Sequence, residues 1–289
     1  MASVKDLKKK IRTTKGTLKI TTAMKLVSAA KLSKAQQAIV STRPYSEELD
    51  NTIRTVSALV QNYQNQLLKE NDNKHAVLLV ISSDRGLCGS YNSQLSKKVR
   101  SFIAESKDLD LKVYFIGKKV RELVKKDVRD GKIYKFAKTE PTYLESRAVA
   151  DELSALFAAG EFGKVFVAYN VFKTAMNFVP TVKQVLPIAM DKTFQEKLKS
   201  EIPFDFKYDP SPNAILDVLI PESYRSIVYT CILDALAAEH GSRMSAMDSA
   251  SKNCKTAIRS LTIEMNKLRQ EDITTALIEV VSGAESLNA

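Results

Sequence analysis

The sequence predicts an α/β protein in which a long antiparallel coiled coil of N- and C-terminal helices flanks a central Rossmann-like α/β domain. Three observations predict it. The two ends of the chain carry scarcely any Gly or Pro and repeat their apolar residues at helical spacing. Between them, apolar runs of strand length alternate with helical stretches. Near the C-terminus the apolar positions step by three and four, the pattern of helices that pair with helices. The expected divisions are an opening helix over 1–60, an α/β domain over 61–211 and a closing helix over 212–289.

The opening helix has Ser3 as a fair N-cap. Val4, Leu7, Ile11 and Leu18 follow helical spacing, and Ile20, Ala23, Val27 and Ala30 follow it again on a shifted face. Gly16 and Pro44 are the only breakers before about residue 58. Pro44 is expected to bend or interrupt the helix, with Ile53, Val56 and Val60 resuming the pattern beyond it. A continuous helix of this kind is roughly 80 Å long at 1.5 Å per residue. That exceeds any single globular core, so the helix must pair. The small residues Ala23, Ser28, Ala29 and Ala30 would admit a partner closely.

In the middle, His75–Ser82, Leu111–Gly117 and Lys164–Phe172 read as buried strands. Helices are expected near Ser93–Ser106, Lys118–Asp130 and Thr142–Ala159. The alternation argues a largely parallel sheet, with Thr181–Ile188 as an added edge strand. Pro180, Pro187, Pro203, Pro210 and Pro212 mark a loop-rich exit. From Asn213 to Leu287 the pattern is helical, broken only by Pro221, Gly241 and Gly283. Ile258, Leu261, Met265 and Leu268 form one seam; Ile273, Leu277, Val280, Ala284 and Leu287 form a second, out of register with the first. This helix would reach roughly 110 Å.

Composition narrows the function. The 289 residues are 44% hydrophobic and 27% charged, an ordinary soluble mixture. No apolar run approaches the length needed to span a bilayer. The first residues lack the apolar core of a secretory signal, and their apolar positions continue the helical pattern, which argues against a mitochondrial presequence. Cys88, Cys231 and Cys254 are odd in number and far apart, so reduced thiols are expected, with no zinc site. Charge is concentrated. Residues 1–43 hold eleven Lys and Arg against one acid, Asp6, whereas the rest of the chain is nearly balanced. Such a block faces nucleic acid, anionic lipid or an acidic protein surface.

Catalytic machinery is not legible. No GxxxxGK[ST] motif occurs. The run Ser82–Tyr91 places Gly86 and Gly89 where a phosphate could sit at a helix start, but it reads better as a structural strand-to-helix turn. His75 and His240 have no assignable acid/base partner, and His240 is expected to pack or lie at the surface. Cys88 lies near Arg85 but has no His or resolving Cys. Catalytic residues, cofactors and metals are therefore expected to be none. The C-terminal tip carries Ile273, Leu277, Ile278, Val280, Val281 and Leu287, more than a one-sided stripe needs. It either docks on its own domain or inserts into a ring of partner subunits, and the residues alone leave both open.

Three further stretches carry a resemblance. They are Ile20–Leu32 (ITTAMKLVSAAKL), Ser83–Asn92 (SDRGLCGSYN), and the pair Ala237–Asp248 (AAEHGSRMSAMD) and Arg269–Ala284 (RQEDITTALIEVVSGA). In this order they resemble the gamma subunit family of F-type rotary ATP synthases over the whole chain. The resemblance implies a non-catalytic central-stalk rotor that couples proton-driven c-ring rotation to ATP synthesis and hydrolysis. It implies one copy per ring of three alpha and three beta subunits, with the epsilon subunit (delta in mitochondria) and the c-ring as further partners and no nucleic acid. By the same resemblance, Met24 and Lys25 face an acidic segment of beta, and Arg269 and Gln270 meet a catalytic-subunit loop. Ile273, Leu277, Val280, Val281 and Leu287 seat in an apolar sleeve. The chain departs from the family at Gly16, Thr22, Glu271 and Asp272. It lacks the redox cysteine insertion of chloroplast forms, so it looks bacterial, a peripheral protein on the cytoplasmic side of the inner membrane. The matrix side of the mitochondrial inner membrane is the alternative. A nucleic-acid-binding protein with a basic arm, and a nucleotide-binding enzyme resting on Ser82–Asn92, are the competing readings.

Overall fold

The computed structural model describes residues 3–60, 63–137, 141–188 and 208–288, with the side chains of 58, 59 and 285–288 outside that description. Helix α1 spans Val4–Leu59, followed by β1 (His75–Ile81), α2 (Tyr91–Glu105), β2 (Asp110–Ile116), α3 (Lys119–Val124) and β3 (Arg129–Tyr134). Then come α4 (Tyr143–Ala158), β4 (Lys164–Thr174), β5 (Asn177–Leu186) and α5 (Pro212–Asn288). The chain divides into two compact units: Met1–Ser28 with Arg243–Ala289, and Ala29–Ser242.

In the second unit the five strands lie in the order β3-β2-β1-β4-β5. The first four are parallel, and β5 pairs antiparallel to β4. β1 is HAVLLVI, buried at every position but the first, which is the composition of a strand covered on both faces. Its odd-numbered residues Val77, Leu79 and Ile81 join Val165 and Val167 of β4 on one face. That face is covered by α4 (Val149, Leu153, Phe157), by α5 (Leu216, Ile220, Tyr224, Val228) and by Leu49, Ile53 and Val56 of α1. The even-numbered residues Ala76, Leu78 and Val80 pack with Leu95 and Val99 of α2 and Val120 and Val124 of α3. Helix α4 opens on a capping box. Thr142 accepts from the Glu145 amide, and the Glu145 carboxylate accepts from the Thr142 amide at 2.8 Å.

Several expectations need correction. The helix expected over Lys118–Asp130 stops at Val124, and Arg129–Tyr134 is a strand. The segment RDGKIY has the composition of a turn, yet Gly131 serves close approach. A Cβ there would lie 2.4 Å from the Tyr114 ring of the neighbouring strand. Of the two outcomes expected at Pro44, a bend or an interruption, the second does not occur: α1 continues through it. The carbonyl that loses its donor belongs to Val40, whose side chain is 70% exposed, so water can take the bond. Pro221 likewise lies inside α5. The edge strand begins at Asn177, earlier than expected. Pro203 of the loop-rich exit lies outside the described residues.

Candidate partner-contact surface

The first unit is built from the start of α1 and the end of α5. Along α1 the seam runs through Val4, Leu7, Ile11, Thr14, Leu18, Thr21, Lys25 and Ser28, all buried or half-buried and stepping by three and four without a break. On α5 the matching series is Met247, Ser251, Cys254, Ile258, Leu261, Met265 and Leu268. This is heptad spacing on both helices. The helices run antiparallel: Ser251 Oγ donates to Thr21 Oγ1 at 2.8 Å, and Lys25 Nζ donates to Asp248 Oδ1 at 2.6 Å. On that register Val4 stands level with Leu268.

The face expected to continue through Ile20, Ala23, Val27 and Ala30 is corrected by this seam. Ile20 is 62% exposed and Val27 56% exposed. The seam instead holds its spacing through Thr21, Lys25 and Ser28. These small or amphipathic side chains let the helices approach and bond across the interface, a signal that hydrophobicity passes over.

Outside the seam lie the cations. Lys5, Lys8, Lys9, Lys10, Arg12, Lys15 and Lys19 are all exposed. Asp6, their only acid, is engaged by the helix start. Ser3 Oγ donates to its carboxylate at 2.8 Å, and its own amide donates to Ser3 Oγ at 3.2 Å. The Ser3 hydrogen bonds hold the Asp6 carboxyl below its ordinary range. Lys25 is not a free outward cation, because Asp248 takes both it and Lys252, at 2.6 and 2.7 Å. Those bonds hold the Asp248 carboxyl down at about 2. Met24 is half-buried beside the seam.

Beyond Leu268 the pairing stops, because Ser3 caps α1 at the level where it would be needed. Every α5 residue from Arg269 to Ala284 is exposed. Arg269 and Gln270 are the first two past the seam. Behind them the apolar residues stand open, with Leu277 61% and Val280 70% exposed, and Ile273, Ile278 and Val281 more than half exposed. The side chain of Leu287 lies outside the described residues. The tip therefore does not dock on its own domain among the described residues.

The glycine-bearing run after β1 is a structural turn. Leu87 and Gly89 take positive φ, 61° and 57°. Asn92 Nδ2 donates to Ser83 Oγ at 2.7 Å and to Cys88 Sγ at 3.1 Å, closing the loop on itself. Helix α5 then fills the crevice at the strand ends: Ser242 Oγ donates to the Cys88 carbonyl at 2.6 Å, and Tyr91 Oη donates to the Ala235 carbonyl at 3.1 Å. A Cβ on Gly241 would lie 3.0 Å from the Ala175 carbonyl at the β4–β5 turn. His240 is buried in this stretch.

Two pairings escaped the sequence. His75 Nδ1 lies 2.7 Å from Asp110 Oδ2, which also accepts from Arg129 at 2.7 Å. The parallel register of β1 on β2 places His75 opposite Asp110, so only strand order could have revealed it. Asp248 meets Lys25 for the same kind of reason, since the two are far apart in sequence. Among the described residues no group of three or more His, Cys, Asp or Glu could hold a metal ion, and no helix is long and apolar enough to cross a membrane.

Comparison with known proteins decides the family. The ATP synthase family model matches residues 3–287. The ATP synthase gamma chain of Geobacter metallireducens is 37% identical over 289 residues, covering 99% of both chains. This chain belongs to the ATP synthase gamma-chain family. It is thus a subunit of the ATP synthase complex, whose F1 part is membrane-associated. The gamma chain of Anaeromyxobacter sp. strain Fw109-5 is 38% identical over 293 residues, with 99% of this chain and all of the relative covered. Among solved structures, the central stalk and c-ring of the Tetrahymena thermophila mitochondrial ATP synthase gives a TM-score of 0.59 at 24% identity, over 80% of this chain and 99% of that one. The rotor of the Euglena gracilis enzyme gives 0.62 at 18% identity, over 93% and 98%. These likenesses support the fold of two long helices with an α/β domain.

Proposed function

We propose that this chain is the central-stalk rotor of an F-type ATP synthase, with no catalytic site of its own. In this reading it turns inside one ring of three alpha and three beta subunits. Rotation of the c-ring drives ATP formation there, and ATP hydrolysis drives the reverse. The observation that carries the reading is the bare end of α5: an apolar helical tip beyond the last paired position, on a rod whose other helix is studded with lysines. Open apolar helix surface of this extent marks an interaction site.

The mechanism follows from angular asymmetry. Each catalytic subunit meets a different face of the rod as it turns, and each changes conformation only by as much as its contact energy depends on angle. Contacts must be individually weak, because one tight bond would stop rotation. Exposed charge pairs of about 1 kcal/mol or less meet that need. The residues proposed to touch alpha and beta are Met24, Lys25, Arg269, Gln270, Ile273, Leu277, Val280, Val281 and Leu287. For Lys25 the bond to Asp248 would have to be shared with or exchanged for a beta carboxylate. Residues 1–60 and 212–289 form the rod, and 61–211 form the domain that meets epsilon and the c-ring. Gamma-chain relatives from bacteria support a place on the cytoplasmic side of the inner membrane.

Co-expression with alpha and beta subunits tests the assignment. One copy of this chain per alpha/beta hexamer is expected, and a hexamer that never retains it would refute the role. Replacing Arg269 and Gln270 together by alanine should lower ATP turnover several-fold in complexes that still assemble. Turnover equal to that of the unaltered complex would remove these two residues from the contact.

A further inference from the structure

Within the Ala29–Ser242 unit, helices on the two faces of the sheet differ in charge. Helix α4, on one face, carries three acids, Glu145, Asp151 and Glu152, against one base, Arg147. The α2–α3 layer on the other face is basic. Residues 118–126, which hold α3, contain five cations and one acid, Glu122. Lys97 of α2 joins them. It lies one turn before Arg100, whose Nη2 donates to the Leu123 carbonyl at 2.6 Å and whose Nε donates to Asp127 at 2.8 Å. Arg121 is also engaged, its Nε donating to Asp130 at 3.0 Å. The lysines face outward instead: Lys97, Lys118, Lys125 and Lys126 are all exposed. Lys119 donates to Glu122 at 2.8 Å, and that bond, helped by Lys125 and Lys118, holds the Glu122 carboxyl below its ordinary range. Among these cations Leu123 stands 47% exposed, one turn on from Lys119.

We infer that the α2–α3 layer docks on the anionic headgroups of a lipid bilayer, with the four exposed lysines over the headgroups and Leu123 dipping between them. Charge complementarity calls for an anionic surface. The kind of cation chooses among such surfaces. Fixed carboxylates of a folded partner are best matched by the rigid fork of arginine, and Arg100 and Arg121 are already engaged within the layer. Ammonium groups on flexible stems suit anions that move in a plane, each adding a modest attraction where it reaches them. A leucine standing out among lysines supplies the apolar contact of a surface that lies on a bilayer. The chain also belongs to a membrane-associated complex. Headgroups diffuse past one another, so this contact holds the chain near the bilayer without fixing its angle about the bilayer normal. The inference does not depend on the stalk role or on the contacts proposed for the apolar tip.

The test uses the full-length chain and vesicles of phosphatidylcholine, with or without about one-third phosphatidylglycerol. The sequence has no Trp. Leu123→Trp therefore places a single indole among the lysines. Leu144→Trp places one on α4, on the other face of the sheet, where Leu144 is 71% exposed. A saturable blue shift is expected from Leu123→Trp with the anionic vesicles and not with phosphatidylcholine alone. Leu144→Trp should show no shift with either. Salt at about 1 M, where the Debye length is about 3 Å, should release the chain. Replacing Lys97, Lys118, Lys125 and Lys126 together by Gln in the Leu123→Trp chain should weaken partitioning about hundredfold. All four side chains are exposed, so the melting temperature should not move. Equal shifts with and without phosphatidylglycerol would overturn the inference. So would a shift from Leu144→Trp in place of Leu123→Trp, or partitioning unaffected by the four glutamines. A shift of Leu123→Trp with soluble polyglutamate and none with vesicles would overturn it in favour of an acidic protein partner.

Discussion

Two aspartates of α5 titrate in opposite directions, and the reasons are local. Asp248 is half-buried and held down at about 2 by hydrogen bonds from Lys25 and Lys252. Its folded pKa lies below the ordinary value of about 3.9. The bond to Lys25 is therefore complete above about pH 4 and lost as pH falls toward 2. Lys25→Met should move the Asp248 carboxyl upward by NMR titration, and an unmoved carboxyl would show that Lys25 does not hold it. Asp234 behaves the other way. Burial pushes its carboxyl up to about 6, with Lys173 and Arg43 pulling back. An acid whose folded pKa is raised stabilises the fold below its unfolded pKa and loses that contribution as pH rises through the folded one. Asp234→Asn should therefore stabilise the chain at pH 7 by about 1 kcal/mol, discounted because part of the group is in water. The gain should vanish below about pH 4. Thermal melts at pH 3.5 and 7 check it, and a gain of the same size at both would point to a different cause.

At the scale of elements, α1 shows how much a helix tolerates when its seam is intact. Gly16 lies on the exposed face, and a methyl group added there would meet nothing within 4 Å. Gly16→Ala should thus stabilise by about 1 kcal/mol, the helix-propensity difference, and raise the melting temperature. A fall would mean that the exposed face is engaged. Gly241 is the contrary case. There a branched side chain meets the Ala175 backbone, so Gly241→Val should push the β4–β5 turn from α5 and lower the melting temperature by several degrees. The same elements show what the sequence could say. Strands β1, β2 and β4 were legible because burial on both faces makes an uninterrupted apolar run, as in β1. Strand β3 was not, because a strand under a tyrosine ring needs a glycine there, and RDGKIY then looks like a turn. In α1 the apolar spacing was legible up to Leu18. Beyond it the seam passes to Thr21, Lys25 and Ser28, while exposed Ile20 and Val27 mimic a buried face.

Over the whole chain, the fold needs less of the sequence than the proposed function does. The α/β unit buries its own core on both faces of the sheet, and the helical unit pairs its seams only as far as Leu268. Nothing from Arg269 onward is buried among the described side chains. Removing residues 269–289 should therefore leave the melting temperature of the isolated chain within a degree or two, while changing how the chain is held in an alpha/beta hexamer. A large drop on truncation would mean that the tip packs on its own chain in solution. The apolar composition of this tip was plain in the sequence. Its exposure was not, because an apolar helix end reads the same whether it is tucked away or presented. Only the register fixed by Thr21 with Ser251 and Lys25 with Asp248 shows where the partner helix stops.

That stopping point is set by subtraction. The projecting length is the difference between where Ser3 ends one helix and where the other runs out, about 30 Å at 1.5 Å per residue. It can be altered from the opposite terminus without touching a single residue of the projecting segment. Heptads grafted ahead of Val4, with the Ser3 cap removed, would sheathe the greasy end like a scabbard and turn a spindle into a blunt rod.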